Sequence, residues 1–179
     1  MNKLIYIFVL SLVFFSCEKP EPRKPILRKT GSYIEESVKR NKNLIKFEEK
    51  LLQLKMQKDS LNTYINSEYG FWYYYNKKDS LNNYSPVKGD DVIFSYQIKG
   101  LNDSIIYSKE ELGDKRYLVD KEELITGLQE GIKLMHQGDI VTFLFPSHKA
   151  YGYTGDERIK SNEILIYTVE LKQITKNKN

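Results

Sequence analysis

Leu4 to Phe15 form a twelve-residue apolar run behind Met1, Asn2 and Lys3. A membrane-spanning helix needs about 20 such residues, whereas a signal-peptide core is shorter, so the run predicts an export signal over 1–16. Residues 18–30 place three prolines among charged side chains, the pattern of an extended, solvated tether. Ser32 and Glu35 have the spacing of a capping box. Apolar residues then recur at Leu44, Phe47, Leu51, Leu54, Leu61 and Ile65, alternating three- and four-residue steps except at Lys58. Neither glycine nor proline occurs from 32 to 69. The pattern predicts an amphipathic helical segment over 32–66: one helix to about 58, with a further turn or short helix to 66.

After Gly70 the period changes. Phe71 to Tyr75 is an aromatic run of high strand propensity, followed by a polar loop over 76–88. Val92–Ile98, Ser104–Tyr107, Arg116–Val119, Ile140–Phe145 and Ile164–Ile174 read as further strands. Glu122 to about Met135 reads as a short helix with Leu124, Ile125, Leu128 and Ile132 on one face. One short helix among five or six strands predicts an α+β fold, an antiparallel sheet wrapped around that helix, spanning about 68–175.

Composition narrows the function. Hydrophobic residues are 40% and charged residues 29% of the 179, which excludes wholesale disorder. Lys and Arg number 28 against 24 Asp and Glu; removing Lys3 with the signal leaves 27 − 24 = +3, too weak and too dispersed for a nucleic-acid footprint. The two histidines, His136 and His148, lack spaced partner ligands, so no metal is expected. Fourteen tyrosines supply large apolar faces with a polar tip, suited to half-buried strands and clefts for greasy peptide. Cys17 stands alone, so no disulfide within the chain is expected. Ser16-Cys17 at the end of the apolar run resembles the bacterial lipobox, although Phe14 and Phe15 stand where leucine and a small residue are usual. That resemblance implies acylation of Cys17, a tether over 17–31 and a membrane-anchored protein of the cell envelope, in the outer membrane facing the periplasm. A plain signal peptide with an incidental cysteine is the alternative.

Gly89-Asp90 before a strand that carries Tyr96, Ile125-Thr126-Gly127-Leu128 with Glu130-Gly131, Gly138-Asp139, Ala150-Tyr151-Gly152 with Thr154-Gly155, and Leu165 to Leu171 occur in this order. Together, over about 86–174, they resemble the FK506-binding (FKBP-type) peptidyl-prolyl isomerases. The strand at 68–76 after a helix resembles exported isomerases of the macrophage-infectivity-potentiator type, whose N-terminal helices dimerise. The whole layout resembles the gliding-motility lipoproteins of gliding bacteria. The resemblance implies prolyl isomerisation without any cofactor, acting on proline-containing exported polypeptides, and leaves a homodimer through the N-terminal helix open.

The chemistry of that reaction suits these residues. Amide resonance imposes a barrier of ~18–20 kcal/mol on rotation. No bond is broken, so a dry cleft with one or two donors is sufficient if it favours the twisted amide. By resemblance, Tyr96, Ile125, Tyr151 and Tyr167 carry the activity, and Tyr107, Tyr117, Leu124, Leu128 and Ile159 bind the substrate. Tyr151 would donate to the substrate carbonyl, the Ile125 N–H would be the second donor, and Leu128 would form the floor. Ser108 replaces a common aspartate, Lys115 a pocket aromatic and Leu128 the usual tryptophan, and the loop after Gly155 is one residue shorter. These departures imply reduced turnover and weak binding of FK506-like macrolides. They also keep a non-catalytic module gripping proline-containing segments of a motility or secretion partner as an alternative, and an unrelated β-rich lipoprotein as a third.

Overall fold

The computed structural model describes residues 30–79 and 83–177, with side chains from residue 33 onward in the first helix. The predicted signal segment, Cys17 and the tether through residue 29 lie outside the described residues, as does the Ser32 side chain of the predicted capping box. Met1–Ser37 and Val38–Asn179 are two compact units. The first contributes only the opening of helix α1 to the described residues.

Helix α1 runs over Thr30–Lys58. Its buried face is Glu48 and Leu52, with Leu51 and Met56 partly covered. Phe47 and Leu54, assigned to the seam from the apolar pattern, are 60% and 44% exposed. The docked face repeats near the 3.6-residue period and includes a glutamate, so a search for apolar residues at heptad spacing selects a stripe rotated away from it. The helix does not extend toward 66. The Asp59 carboxylate instead accepts from the Asn62 amide, the Tyr64 hydroxyl and the Leu61 N–H, turning the chain out of the helix. Those bonds, Asn62 first, hold the Asp59 pKa down at about 2. Leu61 is left 93% exposed, and Ile65 begins a strand.

Seven strands follow, where five or six were expected: β1 (Ile65–Asn66), β2 (Trp72–Lys77), β3 (Asp91–Gly100), β4 (Ile105–Tyr107), β5 (Asp114–Leu118), β6 (Ile140–Phe145) and β7 (Leu165–Thr175). Their spatial order is β1-β2-β6-β7-β3-β4, and β5 pairs with β3 beside β4. All pairings are antiparallel. β1 is two residues long and has no alternation to read. A four-residue helix, α2 (Lys109–Leu112), joins β4 to β5. Ser108 caps it by accepting from the Glu111 N–H.

The sheet's two faces are assigned by strand alternation. Leu144 and Ile166, with Trp72 and Tyr74, pack with Leu52 of α1 on one face. Phe143, Phe145, Tyr167 and Val169 pack with α3 (Thr126–Ile132) on the other. Helix α3 is seven residues long, half of what the periodicity predicts. Ile125 is extended, with φ −57° and ψ 138°, and the Glu122 carboxylate is turned back to accept from the Leu118 N–H. Residues 122–125 therefore stand outside the helix. Gly127 lets α3 lie close to the sheet: a Cβ there would be 2.6 Å from the Phe145 ring and 2.9 Å from the Lys149 carbonyl.

Candidate functional site

Tyr96 on β3 and Tyr167 on β7 lie on one face of the sheet, their rings stacked at 5.6 Å and 11°. Tyr167 also packs on Phe145 at 5.4 Å. Across from them, α3 presents Leu128, and the non-helical segment before it supplies Leu124 and Ile125. Tyr151 enters from the loop after β6, which opens with a 3-10 turn over Ser147–Lys149. These six residues and Glu123 line a cavity of about 380 Å³.

The cavity thus gathers six of the nine residues assigned from the sequence: Tyr96, Leu124, Ile125, Leu128, Tyr151 and Tyr167. The other three do not line it. Tyr117 is 2% exposed in the core, and its hydroxyl accepts from the Asp120 N–H, bracing a turn in which Asp120 has φ 54°. Ile159 is 3% exposed and closes a tight hairpin with Asp156 through two backbone hydrogen bonds of 2.9 Å. Tyr107 is half-buried, and the Arg158 guanidinium stands 4.8 Å over its ring while pairing with Glu111. Glu123 was missed because a helix from 122 would turn it to solvent; the non-helical segment 122–125 places it among the cavity-lining residues. Lys115 is exposed and lies opposite Phe94 in the β3–β5 register, outside the cavity lining, as is the capping Ser108.

Burial pushes the Tyr167 hydroxyl far above the usual phenol range, and neighbouring Tyr151 adds to the shift. Burial raises Tyr151 and Tyr96 as well. The neighbouring Tyr151 and Tyr167 hydroxyls interact, which adds to the rise at Tyr167 and works against it at Tyr151. Near neutral pH all three phenols are uncharged, and Tyr151 is a donor held over an apolar floor. The Ile125 N–H stands one residue ahead of the first turn of α3, outside its hydrogen-bond ladder. None of the lining residues is a histidine, cysteine, serine or lysine. Among the described residues no three His, Cys, Asp or Glu side chains converge to hold a metal ion.

The raised pKa of Tyr167 sets a pH dependence. Its folded pKa lies above the unfolded value of about 10, so its contribution is complete below that and is lost as pH rises further. Urea unfolding at about pH 8 and about pH 11 is expected to show a larger loss of stability in the wild type than in Tyr167→Phe. Equal losses would remove Tyr167 as the group responsible.

An antiparallel sheet closed over a short helix, with neutral hydroxyls above an aliphatic floor, thus forms one half-apolar cleft. The family model for FKBP-type peptidyl-prolyl cis-trans isomerases matches residues 82–172, and the chain belongs to that family. It is 29% identical over 104 residues to the peptidyl-prolyl cis-trans isomerase PASTICCINO1 of Arabidopsis thaliana. That match covers 52% of this chain and only 16% of the plant protein. Among solved structures, FkpA from Escherichia coli superposes with a TM-score of 0.61 at 20% identity, covering 98% of this chain and 83% of that one.

Proposed function

We propose that this chain is a peptidyl-prolyl cis-trans isomerase of the cell envelope, acting on proline-containing segments of exported polypeptides. The observation that carries it is the convergence of Tyr96, Tyr151 and Tyr167 over Leu128 in one cavity. A prolyl ring set on Leu128 and against the phenols of the cavity is shielded from water. The planar amide has more charge separation than the twisted one, so a poorly hydrated cleft disfavours the planar ground state relative to the transition state. A hydrogen bond donated by the Tyr151 hydroxyl to the substrate carbonyl fixes the geometry, and the Ile125 N–H would be a second donor. Leu128 makes a smaller floor than tryptophan, which supports modest turnover and weak macrolide binding. The two substitutions that favoured a non-catalytic module, Ser108 and Lys115, stand outside the cavity lining.

The test is a protease-coupled assay on short Phe-Pro and Leu-Pro peptides, with refolding of a protein limited by a prolyl bond as a second substrate. Acceleration of both is expected. Binding of the peptides without acceleration would replace the enzyme with a binding module.

We further propose that the protein is held at the membrane by lipid on Cys17, in the outer membrane facing the periplasm. The support is the apolar run ending in Ser16-Cys17 and the proline-rich tether behind it. Two or more acyl chains make such anchoring stable. Fatty-acid labelling is expected in the wild type and lost in Cys17→Ser; label that persists in the variant would end the anchor proposal. The likeness of the layout to gliding-motility lipoproteins supports a motility partner among the clients. The exposed Phe47 and Leu54 of α1 support pairing of two copies through this helix. Sedimentation of the full chain is expected to give a dimer.

A further inference from the structure

Glu48 is 2% exposed on the inner face of α1. A carboxylate taken out of water is costly unless its lone pairs are occupied. Here one oxygen accepts from the Ser147 N–H at 2.9 Å and the other from the Ser147 hydroxyl at 2.6 Å, between residues 99 apart in the chain. Leu52, one turn further along the helix, is fully buried against the sheet and fixes the glutamate's position.

Ser147 is the hinge of the loop that carries Tyr151. Its carbonyl accepts from the Ala150 N–H and from the Gly152 N–H, both at 2.9 Å, so the residues on either side of Tyr151 hang from it. The same loop touches α3: the Lys149 carbonyl accepts from the Thr126 hydroxyl at 3.4 Å. Glu48 therefore grips both donors of the residue from which both neighbours of Tyr151 hang.

We propose that Glu48 is a positioning residue for the cleft: by clamping Ser147 it sets where the Tyr151 hydroxyl reaches the substrate, so seating residues 38–58 of α1 on the sheet is a condition for full turnover. This presupposes the isomerase activity proposed for the cleft. A carboxylate is needed because it accepts twice with no donor of its own, whereas a glutamine has one acceptor oxygen.

The test uses the full chain with Glu48→Gln, Glu48→Ala, Tyr151→Phe and the double variant Glu48→Gln/Tyr151→Phe. A misplacement of ~1 Å can cost ~100-fold, and partial release of the clamp by Glu48→Gln is expected to lower kcat by about fivefold, with KM changed by less than about twofold. In the Tyr151→Phe background Glu48→Gln is expected to cost nothing more, because the group it positions is gone. The same fractional loss in both backgrounds, or a lower Tm with unchanged kcat, would reduce Glu48 to a structural tie and overturn the proposal. If Glu48→Ala does not fold, the glutamine pair still decides. A wild type that accelerates no prolyl substrate overturns the isomerase function itself, whereas an active wild type with an equally active Glu48→Gln overturns only the positioning role.

Discussion

Tyr151→Phe is expected to lower kcat/KM toward Phe-Pro peptides by about tenfold, from loss of one net hydrogen bond worth about 1.4 kcal/mol in the transition state. Tyr151 is half-buried and lines the cavity. The fold should therefore survive loss of the hydroxyl. Adding Leu128→Ala takes away the floor under the prolyl ring. A further loss of about tenfold is expected from ~1–2 kcal/mol of apolar contact, combining less than additively if the ring shifts in the cleft. Leu128 is 1% exposed, so the alanine also lowers stability, and the assay must be run where circular dichroism shows the double variant folded. Activity unchanged in both variants would move the site elsewhere.

Phe145→Ala is expected to be the most destabilising single change at the site, at about 3–5 kcal/mol in urea unfolding. Its ring meets Phe71 edge-on at 5.1 Å, stacks with Phe143 at 5.5 Å and supports Tyr167 at 5.4 Å. It is also the ring against which Gly127 brings α3 close. Truncation would open a void beneath both the helix and Tyr167, so the surviving folded fraction should be less active as well as scarcer. A loss under about 1 kcal/mol would mean that the layer repacks, and that α3 is held chiefly by Phe143 and Ile132.

The strand-rich half of the chain is legible because its information is local. Ile140–Phe145 is found at its exact bounds, and the two long strands β3 and β7 within two residues at either end, since continuous apolar runs between turns have few other uses. The tyrosine cleft is legible for a different reason: Tyr96, Ile125, Leu128, Tyr151 and Tyr167 resemble a family's motif in order and spacing. Tyr117 and Ile159 match the pattern as well, and the structure buries both in the core, beside the turn at Asp120 and the hairpin at Asp156.

The amino-acid sequence by itself determined that a helix precedes an antiparallel sheet and that a short helix packs on that sheet. Tertiary structure alone decided which face of α1 is buried, that 122–125 stand outside the helix with Glu123 at the cavity, and that Glu48 meets Ser147. The reason is physical. Apolar periodicity records a side chain's preference to leave water, which each residue carries with it. A buried carboxylate has no such preference and is stable only beside donors brought from 99 residues away, a pairing that exists once the fold has formed.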